Sequence, residues 1–96
     1  MYPPLSLILG VKSHFVYILE CSDGSLYTGY TTDPERRLRK HNSGRGAKYT
    51  RAKRPVRLIF KKGFSNRAEA LRYEFKVKKA SRSAKLLLSR GELPKP

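Results

Sequence analysis

The feature that most constrains this fold is a turn signal between two segments rich in aromatic and β-branched residues. Asp23-Gly24 supplies the positive φ that a tight turn needs, and residues 15–20 and 26–30 on either side have the composition of strands. These segments predict an antiparallel hairpin that brings Tyr17 and Tyr27 near one another. Whether the two tyrosines share a face depends on the register of the strands.

Start and stop signals after the hairpin predict three helices and one more strand. Thr32 or Asp33 can cap the first helix, Pro34 suits its first turn, and Gly44 follows its end. The predicted elements are helices at residues 33–42, 65–79 and 81–88, a strand at residues 56–61, and a basic loop at residues 43–54.

The element order predicts an α+β fold in which a small three-stranded sheet (β-β-α-β-α-α) is flanked by helices. A chain of 96 residues corresponds to one domain. We assign residues 14–90 to this domain, residues 1–13 to an N-terminal extension and residues 91–96 to a flexible tail.

The charge distribution predicts a polyanionic partner. The chain has 22 basic and 7 acidic residues, a net charge of +15, and the segment between Glu35 and Glu69 has 13 Lys or Arg and no carboxylate. Basic density of this kind attracts nucleic acid through counterion release. A membrane is not expected, because the basic residues are not confined to one face of a long amphipathic helix. The alternative is a solubilising or ribosome-associated surface.

Cysteine usage and hydropathy favour a cytoplasmic protein, and a nucleic-acid partner would associate it with the nucleoid. The single cysteine, Cys21, excludes an intrachain disulfide framework and fits a reducing compartment. Its position predicts a buried structural role. No segment approaches the roughly 20 apolar residues that span a bilayer, and the apolar run at residues 5–11 lacks the features of a signal peptide.

Two positions of the first helix have the chemistry of a phosphate site. Arg37 and His41 are four residues apart and therefore share a helix face. An arginine can clamp a phosphate, and a histidine can accept a proton or orient water. The alternative is that both are solvated residues of a basic helix.

A carboxylate and two phenols complete the candidate chemistry. Glu74 falls on the apolar stripe of the second long helix, between Ala70 and Leu71. There it can hold a hard cation such as Mg²⁺, which uses only one or two carboxylates, or pair with Arg37 or a lysine. Tyr17 and Tyr27 can serve as bases only if the usual phenol pKa of about 10 is lowered. Otherwise they are cross-strand packing residues.

Taken together, these residues resemble the GIY-YIG nuclease superfamily. That superfamily includes phage homing endonucleases, the incision nuclease of bacterial nucleotide excision repair and the Slx-type structure-specific nucleases. The resemblance is nearest to small bacterial proteins that consist of this domain, and it covers residues 14–88. It is carried by Tyr17, Tyr27, Gly29, Arg37, His41 and Glu74, in this order within the β-β-α-β-α-α pattern.

The resemblance implies a metal-dependent endonuclease that hydrolyses DNA phosphodiester bonds in repair or recombination, with Mg²⁺ or Mn²⁺ as cofactor. Tyr17 matches the first motif tyrosine, a general base or water-positioning group, and Tyr27 matches the second. Arg37 matches the arginine that stabilises charge on the phosphate, and His41 a position implicated in proton transfer. Glu74 matches the single metal-binding carboxylate.

The resemblance also implies a set of nucleic-acid contacts. Gly29 matches the glycine that allows close approach of backbone or substrate. Residues 44–51 resemble a loop typical of the small bacterial members, whose basic residues suit backbone phosphates and whose Tyr49 can stack on a base. The predicted nucleic-acid-binding residues are Gly29, Arg36, Arg45, Lys48, Tyr49 and Arg51.

Two departures from the family pattern leave other functions open. The first motif, Val16-Tyr17-Ile18, lacks the family's glycine, and the asparagine that many members carry after the metal-binding glutamate has no clear counterpart. One alternative is therefore a non-catalytic nucleic-acid-binding module that retains the fold. Another, suggested by the absence of a second domain in the sequence, is an accessory subunit whose protein partner supplies the targeting. Among DNA substrates, branched or flapped forms are expected alongside plain duplex.

Overall fold

The computed structural model describes residues 12–91, and within them an antiparallel three-stranded sheet is flanked by helices. Strand β1 is central, with β2 on one side and β3 on the other. The predicted α+β fold and its element order are confirmed. The elements are β1 (His14–Glu20), β2 (Leu26–Thr31), α1 (Pro34–Asn42), α2 (Lys48–Arg51), β3 (Arg57–Phe64), α3 (Arg67–Lys79) and α4 (Arg82–Ser89).

Two elements differ from the sequence prediction. Helix α2 is a single turn inside the segment predicted as a loop, and no side chain caps its N-terminus. It forms where Thr50 is fully buried, so tertiary contacts hold it in place of local signals. Strand β3 extends three residues beyond the predicted end at Lys61, because the ladder with β1 continues to the pair His14–Phe64.

The chain ends were also assigned from sequence. The predicted extension and tail lie outside the described residues except for residues 12–13 and residue 91. Between residues 12 and 91, no helix is long and apolar enough to cross a membrane.

The hairpin forms around the predicted turn. Gly24 has a φ of 84°, and the Asp23 carboxylate accepts hydrogen bonds from the backbone N–H and the hydroxyl of Ser25. The resulting register pairs Tyr17 with Gly29 and Leu19 with Tyr27. Because side chains alternate along a strand, this register places both tyrosines on the same face of the sheet.

The core has two parts, one on each face of the sheet, and the face with Tyr17 and Tyr27 carries the first. Tyr17, Leu19, Cys21 and Val56 form a buried cluster, against which Leu38 of α1 packs. The predicted burial of Cys21 is thereby confirmed. The alternate residues of β1, Val16 and Ile18, are fully buried on the other face, and α3 packs against β1 and β2 with Ala70 and Val77 buried.

Local hydrogen bonds fix where α1 begins and ends. The Asp33 carboxylate accepts from the Arg36 backbone N–H at the N-terminus, as predicted. At the C-terminus Gly44 has a φ of 83°, its N–H donates to the His41 carbonyl, and the Arg45 N–H donates to the Lys40 carbonyl. This pair of backbone hydrogen bonds is a Schellman motif, and it turns the chain back toward α1.

A second clamp joins the end of α1 to the start of β3. The Asn42 side chain donates to the Val56 carbonyl at 2.9 Å and accepts from the Val56 N–H at 2.7 Å. Val56 is buried, so these backbone groups would lose their partners if the amide were removed. Leaving a buried polar group without a hydrogen-bond partner costs roughly 1–3 kcal/mol of stability.

We predict that Asn42→Ala lowers the free energy of unfolding by about 1–3 kcal/mol, measured by urea denaturation. The control is Asn66→Ala, which removes the N-cap of α3. Asn66 is exposed like Asn42, but its partner is the N–H of exposed Glu69, which water can reach, and not the buried Val56. An Asn42→Ala loss no larger than the control loss would show that the clamp contributes nothing beyond an ordinary cap.

Candidate active site

The two motif tyrosines meet at the pairing of β1 with β2. Tyr17 is 2% exposed, and its ring lies against Gly29, where an added Cβ would collide with the Tyr17 hydroxyl. The centroids of the Tyr17 and Tyr27 rings are 6.3 Å apart. Gly29 therefore provides the space into which the Tyr17 phenol fits.

His41 reaches Tyr17 from α1 and is buried, not solvated. Its side chain is 1% exposed, and Nε2 lies 3.1 Å from the Tyr17 hydroxyl oxygen. The Tyr27 ring packs edge-on against the imidazole at a centroid distance of 5.2 Å. The alternative of a solvated histidine on a basic helix is wrong for this residue.

The opposite nitrogen of His41 faces the segment that follows α1. Nδ1 lies 2.7 Å from Oγ1 of Thr50, which in turn donates to the Ala47 carbonyl at 3.0 Å. Gly46 lies against the same edge of the ring, where an added Cβ would collide with the imidazole. Sequence analysis missed both Thr50 and Gly46. The only signal for them was a threonine and a small residue inside a basic segment.

The surroundings shift the pKa values of the Tyr17–His41 pair in opposite directions. Burial lowers the pKa of His41, and the positive charges of Arg37 and Lys40 lower it further. Burial raises the pKa of Tyr17 well above its ordinary value, Tyr27 and Glu74 add to the rise, and Arg37 opposes it. At neutral pH the pair is therefore a neutral phenol beside a neutral imidazole.

Arg37 lies one helical turn before His41 and is half-buried. It faces a cleft of about 440 Å³ whose other walls come from β1, β2, α3 and residues 45–47. Its guanidinium is thus available to an anion in the cleft, next to the Tyr17–His41 pair. The cleft is lined by Tyr17, Tyr27, Gly29, Tyr30, Arg37, Lys40, His41, Arg45, Gly46, Ala47, Leu71 and Glu74.

Glu74 brings a carboxylate to the same cleft from α3. Its side chain is 16% exposed, and Oε2 pairs with Lys78 Nζ at 3.3 Å, one turn along the helix. The expected ion pair is therefore made with Lys78 and not with Arg37. Lys78 is 54% exposed, so this pair is only partly withdrawn from water.

The donor set fits a magnesium-type cation with few protein ligands. No group of three or more His, Cys, Asp or Glu side chains comes together within residues 12–91. A site built on Glu74 would thus have one carboxylate and fill its remaining positions with water, which Mg²⁺ accepts and Zn²⁺ structural sites do not.

Of the six predicted nucleic-acid contacts, three lie at the cleft or in the basin beside it and three lie on α2. Gly29 and Arg45 line the cleft, and Arg36 lines a neighbouring basin with Arg37. Tyr49 is 44% exposed, stacks on Tyr27 at 5.9 Å and has the Lys53 ammonium 3.8 Å from its ring centroid. Lys48 and Arg51 are exposed on α2, away from the cleft lining.

His14 was given no role from sequence, yet it supports one wall of the cleft. Its Nδ1 lies 2.8 Å from the Tyr30 hydroxyl, and the two rings stack with 13° between their planes. Tyr30 lines the cleft, so His14 helps to hold one of its side chains in place.

Comparison with known proteins places the chain in one family. Residues 13–87 match the family model described as the GIY-YIG catalytic domain. The chain is 52% identical over 82 residues to a UPF0213 protein of Staphylococcus saprophyticus, covering 84% of this chain and 100% of that protein. It is 57% identical over 72 residues to a UPF0213 protein of Streptococcus agalactiae, covering 75% and 82%.

Two solved structures are similar in both sequence and fold. The solution structure of a UPF0213 protein from Bacillus halodurans is 56% identical with a TM-score of 0.52, covering 80% of this chain and 82% of that one. The solution structure of a protein from E. faecalis is 48% identical with a TM-score of 0.57, covering 90% and 95%. The chain therefore belongs to the GIY-YIG catalytic-domain family.

Proposed function

We propose that this protein is a metal-dependent endonuclease that hydrolyses phosphodiester bonds in DNA. The observation that carries the proposal is the meeting of a proton acceptor, a guanidinium and a carboxylate in one cleft of a strongly basic protein. His41 and Tyr17 supply the acceptor, Arg37 the guanidinium and Glu74 the carboxylate. This combination suits attack of water on a phosphodiester.

The Tyr17–His41 pair gives a route for the proton of the attacking water. The raised pKa of Tyr17 disfavours a free phenolate. Tyr17 can still accept the water proton if its own proton passes to His41 Nε2, 3.1 Å away, at the same time. The new oxygen–phosphorus bond then forms as the bond to the leaving oxygen breaks, and the leaving oxygen takes a proton from solvent. His41 then returns its proton through Tyr17 to solvent, which restores the neutral pair.

Arg37 and Glu74 act on the charge of the phosphate. The Arg37 guanidinium can donate two hydrogen bonds to phosphate oxygens and stabilise the charge that develops on them. Glu74 would hold Mg²⁺ or Mn²⁺, which when bound supplies Lewis-acid stabilisation of that charge.

The basic surface would bind the DNA backbone around the cleft. Arg36 and Arg45 border the cleft region, and Lys48 and Arg51 extend the positive surface along α2. Such contacts position the backbone without reading its sequence. We therefore expect selection by DNA shape, with branched or flapped forms compared against plain duplex, and a role in repair or recombination at the nucleoid.

A binding module without catalysis is the second candidate, and the Glu74–Lys78 ion pair favours it. If Lys78 holds the carboxylate permanently, no cation binds and the basic surface remains the functional part. Such a module would bind many nucleic acids with strong salt dependence and show no cleavage in any divalent cation.

Replacing the carboxylate separates the two candidates. We predict that Glu74→Gln lowers Mg²⁺-dependent cleavage by about a hundredfold or more, because it removes the proposed ligand of a cation worth several kcal/mol of transition-state stabilisation. The measurement is cleavage of labelled duplex, flapped, branched and single-stranded DNA, with binding followed in parallel by fluorescence anisotropy.

Glu69→Gln is the matched control for this variant. Glu69 lies on the same helix but is exposed outside the cleft, so the substitution removes the same charge and should leave cleavage unchanged. Equal cleavage by Glu74→Gln and wild type would refute the metal assignment. Binding with no cleavage by any of the proteins would favour the binding module.

The neutral Tyr17–His41 pair predicts a particular pH profile. Because the pKa of His41 is lowered from its ordinary 6.5, the neutral imidazole persists at neutral pH and is lost only in more acidic solution. We predict that kcat/KM stays level through pH 7 and falls with an apparent pKa below 6.5. An acidic limb at or above pH 6.5 would contradict the assignment of His41.

The same proton route predicts the effect of removing the phenol hydroxyl. We predict that Tyr17→Phe lowers the cleavage rate by about a hundredfold at neutral pH.

A further inference from the structure

Thr50 makes a hydrogen bond to the His41 nitrogen that faces away from Tyr17. It lies on α2, nine residues after His41, and its side chain is 0% exposed. Oγ1 is 2.7 Å from His41 Nδ1 and 3.0 Å from the Ala47 carbonyl oxygen. Neither the family match nor the resemblance assigns a role to this threonine.

The direction of these hydrogen bonds follows from the protons available. The Thr50 hydroxyl can donate to His41 Nδ1 or to the Ala47 carbonyl, which also accepts from the N–H groups of Thr50 and Arg51. We assign the proton to the carbonyl, because only this arrangement leaves His41 Nε2 free to accept from the buried Tyr17 hydroxyl. Oγ1 can then only accept from His41, so Nδ1 carries the imidazole proton. In a neutral imidazole this leaves Nε2 as the acceptor, and the bond to Tyr17 runs from the phenol to His41.

We infer that Thr50 is a positioning residue that fixes His41 in the tautomer able to receive the proton of Tyr17. The inference deepens the proposed nuclease and rests on it for the catalytic consequence. Nothing in this chain of bonds needs a bound cation, since it runs from Tyr17 through His41 and Thr50 to the Ala47 carbonyl.

The opposite tautomer would block the proposed proton route. With the proton on Nε2, His41 would donate to the Tyr17 oxygen and have no lone pair to receive the phenol proton. A histidine held in the wrong tautomer is a poor general base even where its position is unchanged. His41 is 1% exposed and Gly46 lies against the Nδ1 edge, so solvent is a weak substitute for Thr50.

Two substitutions at Thr50 separate the effect of its hydroxyl group from the effect of its shape. Thr50→Val has nearly the same volume and no hydroxyl, whereas Thr50→Ser keeps the hydroxyl and loses a methyl group. Thr28→Val is the matched control, because Thr28 is also buried and its hydroxyl has no hydrogen-bond partner within the described residues. It lies next to Gly29 on β2 but on the opposite face from Tyr17.

The first readout is the ¹⁵N NMR spectrum of the imidazoles at pH 8, which reports the tautomer without any cleavage. The chain has two histidines, so a His14→Gln variant assigns the signals of His41. We expect the Nδ1–H tautomer in wild type, Thr50→Ser and Thr28→Val, and a shift toward Nε2–H in Thr50→Val. An Nε2–H tautomer in wild type would overturn the inference, even if Thr50→Val does not fold.

The second readout is the cleavage rate under the conditions used for Glu74→Gln. Thr50→Val should lower kcat by about tenfold to a hundredfold, less than the roughly 10²–10⁴-fold that a general base contributes in full because His41 itself is kept, while Thr50→Ser and Thr28→Val stay near wild type. Thr50→Ser falling as far as Thr50→Val would point to packing and overturn the inference. The predicted tautomers without cleavage by any protein would support the role of Thr50 and refute the nuclease instead.

Discussion

The buried contact between Tyr17 and His41 determines how the sheet and the first helix fit together. A phenol and an imidazole that are almost fully withdrawn from water need each other as hydrogen-bond partners. Two glycines make the contact sterically feasible: Gly29 leaves room for the phenol and Gly46 for the imidazole. The Schellman motif after α1, centred on Gly44, returns the chain so that Gly46 and then Thr50 reach the back of His41.

Burial and charge together set the protonation states of this site. Arg37 lowers the pKa of both Tyr17 and His41, but burial raises that of the phenol and lowers that of the imidazole. Both groups are therefore neutral at pH 7, and a free phenolate is not the acceptor of choice. In the proposed reaction, passing one proton along the pair would move positive charge onto His41, next to a phosphate whose negative charge is growing. The same cations that keep His41 neutral at rest would bind that phosphate.

Local signals predicted most of the fold, and tertiary contacts decided the rest of the site. The Asp23-Gly24 turn, the Asp33 cap and Gly44 each act within a few residues, so the sequence alone predicts them. The sequence did not predict the burial of His41, because the composition of α1 is that of a solvated basic helix and its buried face is set by packing on β1. Thr50 was missed for the same reason: its partner is brought to it by the turn after α1.

The ion pair between Glu74 and Lys78 need not prevent a cation from binding. The Lys78 ammonium is 54% exposed and can return to solvent, whereas the Glu74 carboxylate is 16% exposed and would then need another cation as its partner. A divalent cation in the cleft would then compete for the carboxylate with twice the charge and a shorter approach. The released Lys78 would remain beside the cleft as a further contact for the DNA backbone. On the proposed function, the ion pair would hold Glu74 in place until DNA and a cation bind, and its presence alone does not argue against catalysis.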